Sequence, residues 1–233
     1  MKKYFHYKQI YDIPEPPEEA DFIESFEESN WYNLHWTQTY KYNYVNIVSS
    51  EEQAYHLTHS GKCTLWDPPN DNPKGTWLSL KKISTSSLRI DMYMFCLSKT
   101  QPEYVRLGIA FAGNGNNYSF IALSKNAENG LWNLETGYWW DGVERYMEYT
   151  PVFPLIDQWN LLTVIGSRWK EDSAYYKHFT AYWNRNKVIE RTIQTIRPSY
   201  EYYGICYHAL WKSPYPTGGT KFYIDKYTVK KLD

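Results

Sequence analysis

The chain has 233 residues and a formal charge of −1 from 25 basic and 26 acidic side chains. It is therefore the size of one large β domain, without the bulk positive surplus of a nucleic-acid or anionic-membrane binder. Aromatic residues make up 19% of it, as 24 Tyr, 11 Trp and 9 Phe, a content that suits half-buried pleated surfaces better than helices.

Residues 1–19 read as an N-terminal arm and a connector. Tyr4, Phe5, Tyr7, Ile10 and Tyr11 come first, and the Pro/Glu run from Pro14 to Glu19 then breaks regular pairing, because proline fixes φ and removes a donor. So aromatic an arm packs on its own domain or docks on a protein partner, self-assembly through residues 4–11 included. The opening Met1-Lys2-Lys3 is followed by Tyr-Phe-His and not by an apolar stretch, and no run approaches the ~18 apolar residues of a membrane span. Neither a signal peptide nor a span is expected. An extracellular chain and a virion component would read alike, and the compartment stays open.

Residues 20–233 read as a single β-sandwich domain. Period-two alternation is clearest at Leu88, Ile90, Met92 and Met94 and at Val105, Leu107, Ile109 and Phe111, which predicts two neighbouring core strands. Further strands are expected over 76–83, 118–123, 131–136, 143–149, 159–166, 178–184, 187–193, 202–208 and 221–229. The turn-rich run from Ala112 to Asn117 joins two of them, and Asp141-Gly142 and Asn184-Arg185-Asn186 have the chemistry of tight hairpins. No capped stripe at helical spacing occurs in any window of eleven or more residues. Many short strands and no helix predict an all-β, two-sheet antiparallel sandwich. Cys63, Cys96 and Cys206 cannot all pair within one chain and show no C-x-x-C spacing, so free thiols are expected, with Cys96 in phase with the apolar positions before it.

The layout from Tyr118 onward resembles the concanavalin A-like lectin/glucanase superfamily, in its laminin-G-like jelly rolls. The likeness rests on the Trp-centred strand Gln158-Trp159-Asn160-Leu161-Leu162-Thr163-Val164, the hairpin from Phe179 to Val188 and the closing strand from Phe222 to Val229. Asp21-Phe22-Ile23-Glu24-Ser25-Phe26 looks like the opening strand of the same family, which lies beside the closing strand. The resemblance spans about residues 20–232 and implies a jelly-roll sandwich. It departs at the hairpin, where Asn184 or Asn186 replaces the usual glycine, which shifts the turn type. It also implies a structural calcium at Asp225 with Asp21 or Glu24, since calcium takes several oxygen ligands. Glu19, Asp21 and Glu24 have the E-x-D-x-x-E spacing that resembles the catalytic signature of one glucanase branch. Their position just after the connector reads instead as an acidic, solvated entry into the first strand.

Aromatic loops carry the functional reading. Tyr138, Trp139, Trp140 and Asp141 surround one hairpin, Trp211 and Tyr215 stand in a second loop, and Trp66 stands in a third. Ring faces stack on the apolar face of a pyranose while polar neighbours fix its hydroxyls, so these residues point to non-catalytic recognition of a polysaccharide or other glycan. Two alternatives stand beside it. One is a structural or adhesive assembly component such as a virion, tail-fibre or cell-surface protein. The other is a carbohydrate-active hydrolase or lyase with Asp141, Glu144 or Glu135 as acid/base candidates.

Overall fold

The computed structural model describes residues 15–28, 36–38, 45–65, 74–79, 85–96, 104–114, 117–126, 130–140, 143–171, 174–195, 202–210 and 220–232. Among these there is no helix. Fifteen strands form two antiparallel sheets. They are β1 (Phe22–Glu24), β2 (Trp36–Gln38), β3 (Val45–Ser50), β4 (Ser60–Leu65), β5 (Lys74–Ser79), β6 (Ser87–Phe95), β7 (Tyr104–Asn114) and β8 (Asn117–Asn126). The series continues with β9 (Trp132–Trp140), β10 (Val143–Pro151), β11 (Trp159–Glu171), β12 (Ala174–Trp183), β13 (Asn186–Thr195), β14 (Tyr202–Leu210) and β15 (Thr220–Lys231).

The first sheet runs β13-β12-β11-β6-β15-β4-β3, with β1 also paired to β15, and the second runs β10-β9-β8-β7-β14-β5-β2. The opening strand therefore lies beside the closing one, with Phe22 opposite Val229. Within a sheet the chain advances by hairpins, β7 to β10 and β11 to β13. It changes sheet at each step from β1 to β3 and from β4 to β7, and again between β10 and β11, β13 and β14, and β14 and β15, which closes the two layers over one core.

That core is the product of alternation. Leu88, Ile90, Met92 and Met94 of β6 point inward against Leu107, Ile109 and Phe111 of β7, with Leu162 and Val164 of β11, Ile205 and Tyr207 of β14, and Phe222, Ile224 and Val229 of β15. All three cysteines are free and buried. Burial pushes the Cys96 thiol up to about 12, so it behaves as a small apolar side chain.

The β12–β13 hairpin turns on Asn184 and Arg185, at φ 47° and 71°, between the paired residues Trp183 and Asn186. Both central residues in the left-handed region make a type I′ turn, whose twist matches the strands, so Asn184 does what the expected glycine would do. Asn184 also binds the neighbouring strand, its Oδ1 accepting from Leu161 N at 2.9 Å.

Candidate functional site

Side chains of the second sheet that do not point into the core share its outward face, and the register sorts them into rows across the strands. One row runs His208 (β14), Arg106 (β7), Ser124 (β8) and Asn133 (β9). The next runs Cys206, Gly108, Ala122 and Glu135, and the third runs Gly204, Ala110, Phe120 and Gly137. Most side chains in the second and third rows are small, which leaves the long Arg106 side chain room to lie across them. Gly108 allows a close approach here: a Cβ would stand 2.2 Å from Ala122 Cα, so the backbone of the neighbouring strand would have to shift. A second apolar cluster of Ala110, Tyr118, Phe120, Ala122, Trp139 and Cys206 lines the same face, with Tyr118 and Trp139 stacked at 6.5 Å between centroids.

Three ionisable side chains converge in this face. Arg106 is 1% exposed, Glu135 0% and His208 8%. Arg106 Nη1 lies 3.5 Å from Glu135 Oε2, its Nη2 donates to His208 Nδ1 at 3.2 Å, and its guanidinium carbon lies 4.2 Å above the Phe120 ring. A guanidinium can only donate, so His208 Nδ1 accepts and the neutral imidazole carries its proton on Nε2. The arrangement joins a fixed cation on an aromatic face, a carboxylate and an imidazole donor, all screened from water. Ionisable groups clustered in an outward-facing surface and desolvated together mark a functional site better than scattered charges do.

The residues expected from sequence fall into three groups. Glu135 is in the cluster, and Trp139 lies on the same face, buried against Tyr118 and not standing free on a loop. Tyr138, one position along β9, points to the opposite face of the sheet. Trp140 and Glu144 lie opposite Val143 and Trp139 in the β9–β10 pair. Glu144 thus stands four positions along the ladder from Glu135, ~13 Å at ~3.3 Å per residue. Trp66, Asp141, Trp211, Tyr215 and the arm residues 4–11 lie outside the described residues. Arg106 and His208 were missed. Each sits in the polar phase of its strand, and the available signal was that Gly108 and Ala110 share Arg106's phase and Gly204 and Cys206 share His208's.

Asp225 and Asp21 are not brought together. Asp225 Oδ2 accepts from Tyr55 N at 2.8 Å and His56 N at 2.7 Å, and its Oδ1 from Lys226 N at 2.6 Å. Asp21 Oδ2 accepts from Lys231 N at 2.7 Å, five residues further along β15. Glu24, the other expected partner, is buried and receives Phe26 N at 2.8 Å and Trp36 Nε1 at 2.9 Å. Among the described residues no group of three or more His, Cys, Asp or Glu side chains is placed to hold a metal ion. The E-x-D-x-x-E residues likewise separate, with Glu19 and Asp21 exposed and Glu24 buried.

No protein-family model matches the chain, and no curated protein matches it. Solved structures do. An endo-β-1,4-glucuronan lyase from the fungus Trichoderma reesei aligns with a TM-score of 0.63 at 12% identity over 92% of this chain and 96% of that one. An alginate lyase, vAL-1, from Chlorella virus aligns at 0.54 and 10% identity over 92% of this chain and 100% of that one. A legume lectin-like domain from Entamoeba histolytica aligns at 0.54 and 12% identity over 88% and 94%. The fold is the concanavalin A-like jelly roll.

Proposed function

We propose that this chain is a carbohydrate-recognition domain that receives an acidic glycan on the outward face of the second sheet, with Arg106 at the centre of the site. The observation that carries the reading is the buried convergence of Arg106, Glu135 and His208. The Arg106 guanidinium fork meets Glu135 and His208 over the Phe120 ring and sets a permanent positive charge in a low-dielectric face, which favours a polymer bearing carboxylates. Tyr118 and Trp139 supply apolar surface beside it. Solved structures of the same fold named as lyases of glucuronan and alginate, and as a lectin-like domain, support a glycan as the ligand.

Turnover is a second reading, favoured by the two proton-transfer groups flanking Arg106. In an elimination the proton beside the sugar carboxylate leaves to a base, its bonding pair forms the new double bond, and the glycosidic oxygen departs and takes up a proton. Glu135 is the acceptor in the cluster and His208 Nε2–H the donor.

A panel of glucuronan, alginate and a neutral β-glucan tests both readings, with binding measured by calorimetry and reaction mixtures followed for ultraviolet-absorbing unsaturated ends. Recognition requires tighter binding of an acidic polymer than of the neutral one, weakened at least about tenfold in Arg106→Lys, which keeps the charge and loses the fork. Equal binding of neutral and acidic polymers, or an unaffected Arg106→Lys, would overturn the proposal. Unsaturated product that disappears in Glu135→Gln would establish turnover.

A further inference from the structure

Strand β10 carries a one-residue bulge beside the site. Its ladder with β9 begins with Val143 opposite Trp140 and Arg145 opposite Tyr138, shifts between Arg145 and Glu148, and resumes with Glu148 opposite Thr136 and Tyr149 opposite Glu135. An unbroken ladder would set Glu148 opposite Glu135 and Tyr149 opposite the core residue Leu134. The bulge exchanges the two. Glu148 goes to the inner side, where Arg191 pairs with it and also donates to Thr136 Oγ1 at 3.2 Å. Tyr149 goes to the outward face beside Glu135. Bulges re-aim side chains in this way because the extra residue reverses the side-chain phase beyond it.

The exchange has two chemical consequences. It removes a second carboxylate from the position next to Glu135, where like charges would oppose each other. It also sets an aromatic ring there that is 55% exposed, while Glu135 beside it is fully buried. Directly opposed residues have Cβ atoms ~5 Å apart, so the ring borders the charged cluster on the edge-strand side of Glu135. The row Cys206, Gly108, Ala122, Glu135, Tyr149 thus leads from small buried residues at the sheet centre to an exposed ring on its edge strand.

We infer that Tyr149 is a second glycan-contact residue, a stacking platform for the sugar unit next to the one held at Arg106. The inference rests on the carbohydrate reading of this face and extends it: the site spans more than one sugar unit, and chain length as well as charge sets affinity. A tyrosine ring offers an apolar face to the C–H groups of a pyranose.

Calorimetric titration of glucuronan disaccharide and hexasaccharide into the wild type, Tyr149→Ala, Tyr149→Phe and Arg106→Lys tests it. Tyr149→Ala is expected to weaken the hexasaccharide about three- to tenfold and to leave the disaccharide unchanged, with Tyr149→Phe within about twofold of wild type for both. Arg106→Lys is expected to weaken both ligands. Sensitivity to Arg106→Lys with no effect of Tyr149→Ala on the hexasaccharide overturns this inference and leaves the function standing. Insensitivity to Arg106→Lys overturns the function itself, as does a wild type that binds neither these ligands nor alginate oligosaccharides of the same lengths, and this inference falls with it. The circular dichroism spectrum and melting temperature of each Tyr149 variant separate the loss of a sugar contact from the loss of a structural one.

Discussion

On the outward face of the first sheet, Arg89 meets Asp91 through bonds of 2.8 and 2.9 Å, and Thr163 Oγ1 closes the group at 2.5 Å. On the outward face of the second, Arg106 stands 3.5 Å from Glu135 and 3.2 Å from a histidine nitrogen. The first face is also covered. Residues 51–59 cross it, held by the Asp225 carboxylate, with Tyr55 stacked 3.8 Å from Tyr93 and edge-on to Trp159. An arginine and a carboxylate are thus buried twice in one sandwich. In one place the pair closes through two short bonds, on a face that a segment of the chain crosses with Tyr55 on Tyr93. In the other they are held at looser distance among small residues, with an imidazole added and an exposed tyrosine at the border. Bidentate closure is the geometry of a structural lock, and the convergence at Arg106 is the place proposed above to meet a ligand.

Several variants would break or sharpen that contrast. The largest effect is expected from Asp91→Ala, which strands a buried guanidinium and leaves Thr163 without its acceptor. It should cost ~3–5 kcal/mol, read as a shift of the urea midpoint. Gly108→Ala follows at ~1–3 kcal/mol, because the added methyl must displace the backbone of β8. It should also weaken glycan binding, since β8 carries Phe120 beneath the guanidinium. Asp91→Ala by contrast should change stability without changing the affinity of whatever fraction remains folded.

The strap over the first face supplies a pH test. Burial alone would push the Glu27 carboxyl up, but hydrogen bonds from Thr58 and His59 outweigh it and hold the group at about 2, against an ordinary 4.5. A depressed folded-state value means that the stabilisation is fully present above about pH 4.5 and is lost as pH falls toward 2. Glu27→Gln should therefore be less stable than wild type at pH 7, by about 1 kcal/mol. The gap should close progressively below pH 4.5. A gap that persists unchanged at pH 2 would show that the carboxylate's charge is not what holds the strap. The smallest effect belongs to Lys187→Ala: water screens the exposed Lys187–Glu190 pair, so the urea midpoint should match that of wild type.

Much of the fold was legible because burial writes alternation into a strand. Leu88 to Met94 and Val105 to Phe111 announce two core strands, and the Asn184-Arg185 turn announces its hairpin. Strands β2, β3 and β4 were not found. Trp36–Gln38 is three residues long, and Ser60–Leu65, with Ser, Gly, Lys and Thr, carries too few apolar side chains to alternate. The site was harder to read for a related reason. Alternation assigns Arg106 and His208 to the solvent side of their strands, and it cannot tell a solvated face from an outward face that buries its charges. Of the aromatic residues singled out, Trp139 supplies wall and not an exposed platform, and Trp66, Trp211 and Tyr215 lie outside the described residues. Tyr149 was hidden by the bulge, because an extra residue reverses the phase of everything beyond it and no simple period carries through.

The most direct test of the account follows side-chain resonances as glucuronan hexasaccharide is added. The account expects signals of Arg106, His208 and Tyr149 to shift together along one saturating curve, while those of Tyr55, Tyr93 and Trp159 on the first sheet stay in place. Saturable shifts confined to the first-sheet aromatics, or a titration that leaves Arg106 and His208 unmoved, would contradict it.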